Sequence, residues 1–320
     1  MLNSKEMKKI LFIFLILIIN FDGIRSQVFT KDDLRFSCYN TLFNGIAGGI
    51  GAGMNKHKGE SFIHAFKNNF YKGVIGGALN YGGMKIVQVS AMRNNIDLIW
   101  PGRMVNSLGT SITYNAINNS KMFSYFQTNI FCFNISYNGK IHCLLDPVTL
   151  GYAGYLLIRK DMTFNMKNSV MTGSVTFNQK SDNTIIDNGN IYLSGVSGLT
   201  FGNTLFIKDV KQYLYISYHD KIGNINTFQN IKDWKLQTLC HEIIHTFQYE
   251  QSYSLNNFTI NKLHKFSNIY NKYLYINSNF GILYEINNIN YNKNFFETEA
   301  NFFGNSNYYN KNNYFRIIKI

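Results

Sequence analysis

The sequence predicts an α+β fold with three parts: an N-terminal glycine-rich helical hairpin, a β-rich middle region and a long functional helix in the last third. Three observations predict it. No Pro or Gly interrupts the run from Ile231 to about Gln251, so a helix of that length is unobstructed. From Lys121 to about Tyr218 apolar residues alternate with polar ones, and turn signals recur, as at Asn138-Gly139 and Asp187-Asn188-Gly189. Upstream, glycines stand four residues apart, at Gly45, Gly49 and Gly53 and again at Gly73 and Gly77, which lays a smooth groove along one face of each of two helices.

A chain of 320 residues, 45% hydrophobic and 16% aromatic, has enough apolar surface for one large core or two modest ones. Its net charge of +13 comes from 31 Lys and Arg against 18 Asp and Glu. The basic residues are scattered singly and no run exceeds Lys8-Lys9, so no nucleic-acid partner is expected.

Residues 1–26 read as a signal peptide. Lys5, Lys8 and Lys9 precede the apolar run Ile10–Ile19, and Ser26 gives a small residue before Gln27. The mature protein is then expected in the periplasm, the cell envelope or outside the cell. The alternative is an uncleaved anchor, although the run is shorter than the ~20 residues a span needs. No Cys follows the apolar run to carry a lipid.

Residues 27–119 form the glycine-rich helical region, with Asn55–Glu60 as a polar connection between two closely approaching helices. Leu42–Met54 is short for a span and the second arm is interrupted by Lys72, Asn80 and Lys85, so the hairpin is expected to pack or to lie against a membrane. Pro101 is placed as the first residue of a further helix ending at Ile117, in which Arg103 and Asn115 are expected to be buried with partners. Residues 120–225 form the β-rich region, with Leu199–Lys208 and Gln212–Ser217 each read as a strand. A two-residue Asn138-Gly139 turn would set Cys143 opposite Asn134 and leave Cys132 as its diagonal neighbour, so a disulfide there needs a small register change. Residues 226–320 carry the functional helix, although residues 27–320 also suit one folded unit.

That helix contains His241-Glu242-Ile-Ile-His245. Two imidazoles four residues apart lie above one another on one helical face and reach one divalent cation, Zn²⁺ being the expected cofactor. Glu242 projects about 100° round the helix from His241, close enough to take a proton from water beside the metal and turned away from ligation. Trp234, Leu236, Leu239, Cys240, Ile243, Ile244 and Phe247 make the remaining surface apolar, and two His with a Glu are costly to bury there without a cation.

A catalytic zinc takes three protein ligands, so one more is required. Downstream candidates are Glu297, Glu299, Glu285, Glu250 and His264. Glu250 is five residues beyond His245 and points away. Glu297 and Glu299 lie about 200° apart on a helix, so one faces the metal. Glu297 is favoured because it shares its face with Asn301, which can steady a ligand histidine, and with the small Ala300, whereas Glu299 sits with Phe302 and Phe303.

His241-Glu242-x-x-His245 followed by Glu297-x-x-x-Asn301 resembles the gluzincin group of zinc metallopeptidases, whose usual second motif is E-x-x-x-D. The resemblance implies a zincin-like active helix, hydrolysis of a peptide or protein substrate with Glu242 as general base, and His241, His245 and Glu297 as metal ligands. It also implies an edge strand along which an extended peptide lies, a role for which Leu199–Lys208 is placed. A Tyr or His opposite the base is implied as well, and His264 and Tyr253 are the nearest downstream. Asn301 departs from the usual Asp. The glycine hairpin, Arg103–Asn115 and Gly198–Lys208 are similar to uncharacterised exported proteins of Gram-negative bacteria with a His-Glu-x-x-His-Thr-x-Gln core. The other expectation is a non-catalytic envelope protein whose metal is structural or vestigial.

Overall fold

The computed structural model describes residues 30–180, 184–187, 190–193, 198–209, 214–220, 223–229, 231–256, 273–275, 277, 279 and 294–304. The expected signal peptide, Glu285 and His264 lie outside the described residues.

Helix α1 (Lys31–Met54) starts at a reciprocal cap in which the Thr30 hydroxyl accepts from the Asp33 N–H and the Asp33 carboxylate accepts from the Thr30 N–H. Helix α2 (Phe62–Arg93) starts on Ser61, whose hydroxyl accepts from the His64 N–H, and ends on Asn94 in the left-handed conformation. The two helices touch backbone to backbone. A Cβ on Gly73 would stand 2.1 Å from the Asn44 carbonyl oxygen, and one on Gly77 would stand 2.2 Å from that of Asn40. The other face of α2 meets α3 (Ile99–Ile117) in the same way, with Gly83 against the Gly102 carbonyl and Gly76 against that of Gly109. A 3₁₀ turn, Ile96–Leu98, feeds α3 directly, so Pro101 is its third residue instead of its first. Arg103 and Asn115 are buried with partners, as their sequence context leads one to expect.

The middle region holds two principal sheets. Strands β1 (Phe126–Ile130), β2 (Phe133–Tyr137) and β3 (Ile141–Leu145) form an antiparallel meander. Its second turn has three residues, with Gly139 at φ 100°, so Cys143 pairs with Ile135 and not with Asn134. The register thus moves Cys143 away from Cys132, and both thiols are free.

The second sheet has the order β4-β5-β9-β8, from β4 (Met162–Phe164), β5 (Val175–Lys180), β8 (Gly198–Phe201) and β9 (Thr204–Asp209). β5 and β9 run parallel and the other pairs antiparallel. The stretch Leu199–Lys208 is therefore two strands, folded at Gly202-Asn203 with Gly202 at φ 64°, and β8 is an edge. Two ribbons, β6 (Thr184–Asp187) with β7 (Asn190–Leu193) and β10 (Leu214–Asp220) with β11 (Gly223–Gln229), complete the described strands.

Two helices interrupt the region read from sequence as β. Helix α4 (Pro147–Ile158) starts where Asp146 accepts from the Val148 and Thr149 N–H groups and Pro147 fits the first turn. Helix α5 (Met166–Thr172) closes on Gly173 at φ 71°. The sheet lies between layers. Leu205 and Ile207 of β9 face α6 (Ile231–Tyr253), whereas Phe206 and Phe177 face Ala153 and Leu156 of α4. A core of Phe36, Met84, Val87, Ile243, Phe247 and Phe303 joins α1, α2, α6 and α7 (Phe295–Phe303).

Candidate metal centre

Helix α6 brings His241 and His245 together one turn apart, their Nε2 atoms 3.1 Å from each other. Helix α7 supplies the third group. Asn294 caps it by accepting from the Phe296 N–H, and the Glu297 carboxylate sets Oε2 3.5 Å from His241 Nε2 and Oε1 3.5 Å from His245 Nε2. The close approach of α7 depends on small residues. Ala300 is fully buried, and a Cβ on Gly304 would stand 2.8 Å from that of His241.

These distances fit a tetrahedral cation. Ligand atoms ~2.0–2.1 Å from a zinc at tetrahedral angles are about 3.3–3.4 Å apart, against 3.1 Å between the two imidazole nitrogens and 3.5 Å from each nitrogen to its own oxygen of the Glu297 carboxylate. Among the described residues this is the group of three His, Cys, Asp or Glu whose ligating atoms lie within 4.8 Å of one another. A buried His241, His245, Glu297 group able to hold a metal ion is therefore present.

The surroundings suit that role. His245 Nδ1 lies 2.8 Å from Gln248 Oε1, which accepts its proton and leaves Nε2 with its lone pair turned to the site. The Gln248 amide is oriented in turn by donating to the Phe296 carbonyl and to Glu299 Oε2, each at 3.0 Å. Asn40 of α1 donates to Glu299 Oε1 at 2.8 Å. A chain Asn40–Glu299–Gln248–His245 thus runs from the glycine-rich helix to the site.

His245 is supported by Gln248, a residue the sequence reading did not single out, and Glu299 is not merely a neighbour of packing phenylalanines but the carboxylate behind Gln248. In the metal-free chain burial opposes the His245 imidazolium, yet the Glu297 carboxylate and Gln248 outweigh it and push its pKa up to about 9. Burial opposes ionisation of Glu297 too, and the two histidines hold it well below the usual carboxylate range. Burial pushes Glu299 up to about 6 against its bonds from Gln248 and Asn40.

Glu242 is buried beside this triad. The Thr200 hydroxyl of the edge strand β8 donates to Glu242 Oε2 at 2.7 Å. Gly198, two residues earlier on the same face, leaves room for the carboxylate, because a Cβ there would stand 2.7 Å from Glu242 Oε1. Burial raises the Glu242 pKa, and the His241 and His245 charges and the Thr200 bond pull the other way. Tyr152 of α4 is half-buried, packs edge-on against Phe201, and has its hydroxyl pushed up to about 12 by burial and by the Glu242 charge.

Of the expected donors opposite the base, Tyr253 lies elsewhere. Eight residues past His245, about 12 Å along the helix, it stacks on Tyr275 and Tyr114. Glu250 points away from the site as expected, into a buried network. Ser107 and Asn106 donate to it, and burial pushes it up to about 7 against the pull of Arg103. Arg103 is fully buried, donates to the Thr172 and Asn129 carbonyls and to the Ser174 and Thr246 hydroxyls, and lies over the Phe247 ring. It thereby ties α3 to the helix segment directly after His245.

No family model, curated protein or solved structure matches the chain.

Proposed function

We propose that the chain is an exported, zinc-dependent peptidase with a zincin-like active helix and a gluzincin ligand set, acting on peptide or protein substrates. The observation that carries the reading is the convergence of His241 Nε2 and His245 Nε2, 3.1 Å apart, with one Glu297 carboxylate whose Oε2 and Oε1 lie 3.5 Å from the first and the second nitrogen respectively. Zn²⁺ bound by these residues supplies Lewis-acid polarisation of a carbonyl and acidifies water. Glu242 stands beside the ligands without joining them. Its buried carboxylate, fixed by Thr200, accepts the proton of the attacking water and passes it to the leaving amine. Among the described residues β8 is paired on one side only, next to Glu242, so an extended peptide adding to that edge brings its scissile carbonyl to the site. In this reading α1 and α2 form the glycine-packed hairpin that delivers Asn40 to Glu299.

The test is Glu242→Gln, measured as zinc per chain and as turnover of a quenched fluorescent peptide library. Retained zinc with turnover lower by about 10²-fold or more is expected for loss of a general base. Unchanged turnover in Glu242→Gln would remove the assignment.

A further inference from the structure

Helix α1 is built inside out. Its glycines and alanines, including Gly45, Gly48, Gly49 and Gly53, pack against neighbouring helices, while beyond the buried Phe36 its large apolar side chains lie on the exposed side. Tyr39, Leu42, Phe43, Ile46, Ile50 and Met54 are each between 41% and 56% exposed, and the exposed positions from residue 38 to 54 include no charged residue. An ordinary surface helix presents the opposite pattern, because exposed apolar area of this continuity marks an interaction surface.

The charges around this face choose the occupant. From residue 30 to 78 the exposed charged side chains are Lys31, Arg35, Lys56, Lys58 and Lys67, all cationic. Of the acids of that segment Asp33 is buried, and Asp32 and Glu60 are half-buried. Asp33 is buried against Lys85 and Tyr81, Glu60 accepts from the His57 N–H and the Asn119 amide, and Asp32 is partly buried. A second copy of the chain would bring like charges together, whereas an anionic lipid surface complements them. No helix among the described residues is long and apolar enough to cross a membrane. An apolar face with Lys31 and Arg35 at the start of its helix and Lys56 and Lys58 just past its end suits the interfacial plane.

We infer that the outer face of α1 docks the protein onto an anionic membrane surface, with Ile46 and Ile50 entering the acyl boundary. The inference rests on the packing of α1 and is independent of the metal reading.

The experiment uses the full chain on vesicles of phosphatidylcholine containing one-third phosphatidylglycerol. A nitroxide is placed at position 50 (I50C), and in a separate sample at position 140 (K140C), each in a chain with the exposed Cys38 and Cys143 changed to Ser. Paramagnetic accessibility reads depth, so immersion of α1 is distinguished from tethering through residues 1–29. Position 50 is expected to lose accessibility to a water-soluble nickel chelate and gain it to oxygen on the anionic vesicles, while position 140 stays in water. Circular dichroism matching the unlabelled chain certifies the fold of each variant. A label at 50 that remains in water on bound vesicles overturns the inference. So does absence of vesicle binding, or a label already shielded and dipole-broadened without vesicles, which would mean that a second copy covers this face.

Discussion

Replacing Gly198 by Ala tests whether the position of Glu242 matters as its role requires. The new methyl would stand 2.7 Å from Glu242 Oε1, 2.9 Å from Cγ and 3.0 Å from Cδ. Ordinary contact begins near 3.5 Å, so either the carboxylate or the strand must shift by close to 1 Å. The strand is fixed by its pairing of Gly198 with Ile207, and the carboxylate by the Thr200 hydroxyl and its burial. Displacements of that size cost about 10²-fold in rate when they misplace a catalytic group, with about 1–3 kcal/mol of overpacking on stability. His241, His245 and Glu297 are not among the atoms met. The expected outcome is therefore peptide turnover reduced about 10²-fold with zinc affinity preserved, read by chelator competition beside the peptide assay. Full activity in Gly198→Ala would refute the reasoning, and so would parallel loss of zinc.

Gln248→Leu leaves His245 Nδ1 and the buried Glu299 carboxylate without the amide between them, and is expected to weaken zinc binding about 10–100-fold in a chelator titration. In the same titration Glu297→Ala abolishes tight binding, while Glu299→Ala, two hydrogen bonds removed from the ligand His245, has the smaller effect. A further expectation concerns pH. Glu250 rises from 4.5 to about 7 on folding, so the folded chain keeps a proton that the unfolded chain loses. Its contribution is present below pH 4.5 and disappears as pH rises through about 7, a change of about 3 kcal/mol at 1.36 kcal/mol per unit. Glu250→Gln is expected to flatten the fall in denaturant stability between those pH values, and an unchanged slope would show that another group controls it.

The elements with strong local signals were legible in the sequence. The uninterrupted run of α6 is read from about Ile231 to Gln251 and extends to Tyr253, and the four-residue glycine spacing marks the faces along which α1 and α2 meet. The same holds for the pairing of two helix histidines with Glu297, which needs only helical periodicity and the shape of the local sequence. What was missed depends on contacts distant in sequence. The place of Thr200 and Gly198 beside Glu242 follows from β8 being an edge, which in turn follows from the Gly202-Asn203 turn inside a stretch that otherwise reads as one strand. That dipeptide was a usable signal, as was Asp146-Pro147 for α4. Asn40 could not be found this way, because its link to Glu299 joins residues 259 apart. The Cys143 register failed by one residue because Gly139 opens a three-residue turn where a two-residue one was assumed.

The central claim is that His241, His245 and Glu297 ligate one zinc, and X-ray absorption at the zinc edge of the purified full chain tests it most directly. The account predicts a first shell of nitrogen and oxygen at about 2.0–2.1 Å with multiple scattering from two imidazoles. A sulfur neighbour at about 2.3 Å, a single imidazole, or a chain that retains no zinc after dialysis would contradict it.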